Sequence, residues 1–560
     1  MYDRRAFMSY FAGIGLSSTL LPGVLWARLQ QQDTITKAMI KDAAALTGLE
    51  FTDAEQEAMV RGVNQNARAY AQLRTVALAN AVPPAIQFDP LLPSMSLPAG
   101  QKPKRFSRPA AVKRPANIEQ VAFWPVLSLA ELIRTKQVSP VELTELYLAR
   151  LKKHGATLEA VITLTEDRAL AQARAAESEI RRGHYRGLLH GIPWGAKDLL
   201  ATKGIRTTWG AKPYEDQMLS DDATVVKRLD AAGAILLGKL TLGALANGDV
   251  WYGGKTRNPW KLDQGSSGSS AGPGAATAAG LVAFAIGSET LGSIVSPATR
   301  NGVTGLRPTF GRVPRTGAMA LSWSMDKLGP MARSVEDCAA VFAAIIGRDG
   351  QDPTVRDAPF NWDAHADIRR LRVGYYKSAF DATENHPTKA FDDAVLDVLR
   401  ARLGSNLVPF ETPRDLPTSA LRIILNAESA AAFDDLTRSN RDDLLDNSSW
   451  PTSFRQSRFI PAVEYIQANR VRTLLMQEMA KAMAEIDVFV TPSFGGNVLL
   501  LTNLTGHPAV VVPSGFAQDG TPVSISFIGR LYGEAELLAV AKAYQDATGF
   551  HLKHPPQFAV

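Results

Sequence analysis

The stretch Gly268–Ile294, GSSAGPGAATAAGLVAFAIGSETLGSI, decides how this 560-residue chain is read, and Gly191–Leu200, GIPWGAKDLL, completes it. Ser269 and Ser293 stand in frames of small residues, and Lys197 follows an apolar turn. A serine hydroxyl is a weak nucleophile at neutral pH and needs a positioned base. A lysine serves once burial disfavours its charged form and lowers its pKa. With one serine passing the proton, the three residues make a nucleophile without histidine.

The same segments bring a resemblance into view. GIPWGAKD, GSSAGP and GSETLGSI occur in that order, with Ser293 following Ser269 by 24 residues. NGVTGLRPTFGRVPRTGAMALSWSMDKLGPMARSVED (Asn301–Asp337), DVFVTPS (Asp487–Ser493) and LTGHPAVVVPSG (Leu504–Gly515) continue the pattern. On these motifs the chain resembles the amidase signature family over roughly its last three quarters. The resemblance implies an α/β fold, with a mixed central β-sheet covered by helices, preceded here by a helical N-terminal extension. It also implies hydrolysis of a carboxamide to a carboxylate and ammonia or an amine, with no cofactor and no metal. Carried over by position, it makes Ser293 the acylated nucleophile, Ser269 the bridging serine held by a cis peptide, and Lys197 the terminal base. The N–H groups of Thr290, Leu291, Gly292 and Ser293 become the oxyanion hole. Two positions depart from the family pattern: Leu291 and Gly292 replace a glycine pair, and Val295 replaces a frequent arginine. Leucine cannot adopt positive φ as cheaply as glycine.

The same residues also fit other readings. An isolated lysine beside Asp198 is ordinarily solvated or salt-bridged. Ser266 and Ser267 fall out of register and read as loop residues. Gly268–Gly272 fits the G-x-S-x-G nucleophile elbow, with Ser270 as nucleophile, but that elbow needs a buried strand just before it. Asn258–Gln264, NPWKLDQ, is polar, contains Pro259 and reads as a loop. The glycine-rich run lacks the G-K-[ST] ending of a phosphate cradle.

A net charge of +6 over this length, with basic and acidic residues interleaved, gives no nucleic-acid footprint. The single cysteine, Cys338, excludes an internal disulfide and reads as a buried thiol on an amphipathic helix. The eight histidines show no metal-ligand spacing, and His507 reads as structural. At the N-terminus, Arg4 and Arg5 precede a weakly apolar run broken by Gly13, Gly15 and Pro22. This resembles a twin-arginine export signal and not a stable membrane span, and it predicts a periplasmic or secreted protein.

Four segments follow: a signal over 1–27, a helical segment over 28–81, a Pro-rich linker over 82–122 and an amidase domain over 123–560. Thr52 and Glu55 form a capping-box pattern inside the second. That segment is either a generic helical hairpin or a relic of the small C subunit of tRNA-dependent amidotransferases. Amphipathic helices are expected within Ser139–Gly155, Ala169–Gly183 and from Ala223, and strands at Ala509–Val512 and Val523–Phe527. Trp450, Phe454, Phe459 and Tyr465 lie in the segment that sets family specificity and read as core. The expected partner is a small-molecule amide. Two alternatives remain, an A-subunit-like glutaminase of a glutamyl-tRNA amidotransferase and a non-catalytic binding protein on the same scaffold. A homodimer stays open.

Overall fold

The computed structural model describes residues 34–109, 112–382, 386–445 and 448–560. The export-signal reading of residues 1–27 falls outside them. The chain divides into two compact units, Met1–Val82 with Pro461–Val463, and Pro83–Ile460 with Glu464–Val560.

In the first unit, helices α1 (Lys37–Ala44) and α2 (Asp53–Leu73) form a hairpin. The Glu55 N–H donates to the Thr52 hydroxyl at 3.4 Å, and the Thr52 N–H donates to the Glu55 carboxylate at 2.7 Å. This reciprocal pair satisfies helix-end donors that would otherwise lack partners. Ile35, Met39 and Ile40 pack on Met59, Val60, Val63 and Ala67. Asn64 is buried with them because its amide exchanges two hydrogen bonds with the Ile35 backbone.

Among the described residues, the second unit is built on one sheet of 11 strands. In chain order they are β1 (Val161–Leu164), β2 (Pro193–Lys197), β3 (Ile235–Leu240), β4 (Phe284–Glu289), β5 (Thr304–Arg307) and β6 (Lys327–Ala332). Then come β7 (Val373–Tyr376), β8 (Leu407–Phe410), β9 (Val488–Pro492), β10 (Ala509–Phe516) and β11 (Pro522–Gly529). Their spatial order is β1-β3-β2-β4-β6-β5-β10-β11-β9-β7-β8. Strand β2 lies parallel to both β3 and β4, whereas the run from β4 to β9 is antiparallel. The sheet is therefore mixed, as the family resemblance implies.

Helices cover it where the apolar periodicity places them: α3 (Pro140–Leu158), α4 (Glu166–Arg181) and α5 (Thr224–Ala231), the last leading into β3. The Ser139 hydroxyl caps α3 by accepting the Glu142 N–H at 3.1 Å, and Pro140 occupies the first turn, where no N–H is needed. Helix α6 (Ala271–Ala278) is made of small residues because it packs closely on the inner strands β2, β3 and β4. A Cβ on Gly272 would stand 2.5 Å from the Thr241 backbone nitrogen. Farther along the chain come α7 (Val295–Asn301), α8 (Val335–Ile345), α9 (Arg422–Ala432), α10 (Trp450–Ser457), α11 (Ala462–Ala482) and α12 (Val498–Thr505). Trp194 on β2 is fully buried and stacks on Phe284 of β4 at 6.0 Å, which fixes the two strands that carry the site.

Two segments differ in form from their sequence reading. Around Pro259 the polar stretch folds back as a two-stranded ribbon, pairing Arg257 with Gly265 and Asn258 with Lys261. That ribbon lies outside the large sheet, so no buried strand leads into Ser270. The Pro-rich stretch is extended, yet it is hydrogen-bonded along the second unit. The Arg105 N–H donates to the Trp362 carbonyl at 2.8 Å, and the Ala364 N–H donates back to the Arg105 carbonyl at 2.9 Å.

Candidate active site

Strand β2 is buried along its whole length and ends at Lys197, whose side chain is fully inaccessible. Its Nζ lies 2.8 Å from Ser269 Oγ, 3.0 Å from Ser270 Oγ and 2.9 Å from Ser288 Oγ. Ser269 follows the cis Gly268–Ser269 peptide, and Ser288 comes from the end of β4. Burial drives the Lys197 pKa well below the ordinary lysine range, and the charges of Asp326 and Glu289 only partly oppose it.

Asp198, next in sequence, does not serve Lys197. Its carboxylate pairs with Lys239 of β3 at 2.8 Å and accepts the N–H and hydroxyl of Thr208 at 2.7 and 2.6 Å. The salt-bridge reading of an isolated Lys197 therefore fails because the strand register hands the carboxylate to the neighbouring lysine.

The hydroxyls around Lys197 are not equivalent. Ser270 donates to the Ser288 carbonyl and accepts the Ser288 N–H, both at 3.1 Å, so its single proton is committed. It is also fully buried, which removes it as an elbow nucleophile. Ser269 accepts from Lys197 and makes no other side-chain hydrogen bond among the described residues, so its proton is free to move.

The loop after β4 carries Thr290–Ser293. Its positive φ, 86°, falls on Gly292, and Leu291 is not among the positive-φ residues. The leucine at the family's glycine position is thus accommodated without left-handed backbone. The N–H groups of Leu291, Gly292 and Ser293 have no acceptor among the described residues. Ser293 is half-buried, and its carbonyl accepts the Ser270 N–H at 3.1 Å, which sets this loop against the Ser269–Ser270 turn. Leu499 of α12 stands over Gly292: a Cβ there would meet it at 3.1 Å.

Residues that sequence reasoning passed over hold this loop. The buried Glu289 carboxylate accepts the N–H groups of Ile294 and Val295 at 2.9 and 3.0 Å, at the start of α7. It pairs with buried Arg307 at 2.8 Å and accepts the Asn503 amide at 2.8 Å. Burial alone favours a protonated carboxyl, but the Arg307 charge and these donors outweigh it and hold the pKa at about 2. At the other end, Thr290 donates to Asp326 at 2.5 Å, and Asp326 also accepts the N–H groups of Leu321 and Ser322. Burial raises the Asp326 pKa against those three donors. Glu289 lies within the motif GSETLGSI, but nothing local reveals partners as distant in sequence as Asn503.

The remaining expectations fall away from the chemistry. Ser266 is buried, with its N–H bonded to the Thr256 carbonyl, and the Ser267 N–H donates to Asp249 at 2.9 Å. Cys338 is buried on α8, and burial pushes its thiol pKa well up. His507 is buried against Thr505 at 2.8 Å, and burial, with Arg307 nearby, pulls its pKa to about 3. Trp450 and Phe454 of α10 stack at 4.8 Å, and Phe459 is exposed. Tyr465 donates to Glu428 of α9 at 2.9 Å. Among the described residues no group of three or more His, Cys, Asp or Glu is placed to hold a metal ion, and no helix is long and apolar enough to cross a membrane.

Fold and site together define an α/β protein with a buried lysine–serine cluster at parallel strand ends. The amidase family profile matches residues 142–500. In Marinomonas sp. (strain MWYL1), the A subunit of glutamyl-tRNA(Gln) amidotransferase is 35% identical over 484 residues, which is 77% of this chain and 98% of that one. The solved peptide amidase from Stenotrophomonas maltophilia is 32% identical with a TM-score of 0.70, covering 79% of this chain and 100% of that one. A bacterial aryl acylamidase at 21% identity, TM-score 0.66, covers 77% of this chain and 98% of its own and shares the fold. The chain belongs to the amidase family and, by that membership, is a hydrolase of carbon–nitrogen bonds.

Proposed function

We propose that the protein hydrolyses carboxamides through an acyl-enzyme on Ser293, with Ser269 carrying a proton between Ser293 and Lys197. The observation that supports this reading most is Lys197, fully buried against serine hydroxyls and in no ion pair among the described residues. Neutral Lys197 takes the Ser269 proton while Ser269 takes that of Ser293, whose Oγ attacks the carboxamide carbon. The carbonyl oxygen gains the negative charge and faces the N–H groups of Thr290, Leu291, Gly292 and Ser293. The proton returns through Ser269 to the leaving nitrogen, the C–N bond breaks and ammonia or an amine departs. Water then repeats the path, releasing the carboxylate and free Ser293.

Likeness to a peptide amidase supports an amide on an amino acid or peptide as the substrate. The 35% identity to the amidotransferase protein supports a second reading, glutamine as an ammonia source. Ammonia release from aliphatic, aromatic, amino-acid and peptide amides, with glutamine included, separates them. Turnover of peptide amides that is lost in Ser293→Ala is expected. Turnover of glutamine alone would establish the second reading, and retained activity in Ser293→Ala would overturn both. Export is the accompanying proposal, supported by Arg4 and Arg5 ahead of a weakly apolar run. Replacing both arginines by lysine is expected to retain the protein inside the cell, and equal export of the two forms would sink it.

A further inference from the structure

The Pro-rich strap lies outside the residues matched by the family profile, yet it reaches the network behind the nucleophile loop. Phe88 packs edge-on against Phe310 at 5.1 Å, and the Arg472 guanidinium lies 3.5 Å above its ring. Asp89 pairs with Arg356 at 2.7 Å and Pro90 is buried, so the residues that follow Phe88 are anchored.

The two partners of Phe88 converge on one loop, Leu321–Asp326. Arg472, fully buried on α11, donates to the hydroxyl and the carbonyl of Ser324, both at 2.9 Å. Phe310 carries Arg315 on its ring at 4.9 Å, and Arg315 donates to the Trp323 carbonyl at 2.7 Å. Glu428 closes the same loop by accepting the hydroxyls of Ser322 and Ser324 at 2.5 and 2.7 Å. Asp326, at its end, holds Thr290, the first residue of the nucleophile loop.

We propose that the strap is a positioning element for the active site, with Phe88 clamping Arg472 and Phe310 so that the Leu321–Asp326 loop holds Thr290 in place. This rests on the reading of Ser293 as nucleophile. Phe88 touches no reacting atom. It acts through Arg472, because an aromatic face fixes a guanidinium that donates to the Ser324 hydroxyl and carbonyl and to the Leu504 carbonyl. A small displacement of that loop moves the donors that meet the carbonyl oxygen, and misplacement by about 1 Å far from the chemistry can cost about 10²-fold.

The test uses the full chain and compares wild type, Phe88→Ala, Phe88→Leu and Phe88→Tyr on a peptide amide. kcat and KM are expressed per serine titrated by an acylating probe, below the thermal midpoint of each variant. In Phe88→Ala kcat is expected to fall about tenfold with KM changed by no more than about twofold. Phe88→Tyr, which keeps the ring, is expected to restore it. Phe88→Leu keeps apolar bulk where alanine leaves a void, so it remains informative if the alanine variant fails to fold, and it is expected to stay slow. A kcat per titrated serine equal to wild type in the alanine or leucine variant would overturn the proposal, as would a slow, folded Phe88→Tyr. A Ser293→Ala enzyme that turns over normally would instead overturn the nucleophile reading, whatever the Phe88 variants do.

Discussion

Lys197 and Lys239 sit on neighbouring strands, both fully buried, and burial lowers the pKa of each. Lys239 has a carboxylate at 2.8 Å, and the charge and hydrogen bond of Asp198 oppose the burial. Lys197 has only neutral oxygens in contact. The difference teaches that burial by itself does not make a base. A buried amine becomes one where the fold withholds a counter-ion and supplies a hydroxyl with a free proton.

The widest break in the comparison comes from deletion. Lys197→Ala is expected to lower kcat on the order of 10⁴-fold, measured by ammonia release, whereas Lys239→Met leaves kcat per folded molecule near wild type. The pH dependence is expected to carry the same contrast: wild-type activity should rise with pH as Lys197 loses its proton, and Lys239→Met should keep that limb. Stability follows from linkage. The native Lys197 pKa lies below its unfolded value, so the unfolded chain binds the extra proton between the two. Wild-type stability is then expected to rise with pH across that window relative to Lys197→Met, and urea titrations at several pH values check it.

Next in size is the stability cost of Lys239→Met, which leaves Asp198 charged and buried. About 3–5 kcal/mol is expected by urea unfolding, reduced when Asp198→Asn removes the stranded charge. Smaller again is Glu289→Gln. It removes the carboxylate from buried Arg307 as well as the charged acceptor of the Ile294 and Val295 N–H groups, so a cost approaching that of Lys239→Met, about 3 kcal/mol, is expected, with loss of kcat and little change in KM. The smallest effect sharpens the rule that burial alone is not chemistry. Cys338→Ala removes a buried thiol whose nearest acceptors are carbonyls at 3.7 and 3.8 Å. It is expected to cost about 1 kcal/mol or less, with activity unchanged.

How much of this is legible in the sequence depends on the range of each interaction. The Thr52–Glu55 cap and the helix over Pro140–Leu158 are local, and composition and periodicity place them. Lys197, Ser269 and Ser293 stand out because their motifs follow a known order, not because local chemistry singles them out. The partner of Asp198 is not legible. Sequence puts Lys197 beside it, and only the β2–β3 register brings Lys239 to the carboxylate. Glu289 and Asp326 are hidden for the same reason, since their donors come from separate elements. The Pro-rich strap shows the converse: prolines correctly signal extended chain, but whether that chain hangs free depends on surfaces far away, such as Trp362 and Phe310.

The proposed role of Lys197, whose pKa burial lowers, is to activate Ser293 through Ser269. It is tested most directly by the rate of Ser293 acylation as a function of pH, with the adduct located by peptide mapping. The account predicts labelling on Ser293 whose rate rises with pH through a limb below the ordinary lysine range, and loss of that limb with the labelling in Lys197→Ala. Labelling of Ser270 in place of Ser293, or a Lys197→Ala protein acylated at the wild-type rate at every pH, would contradict it.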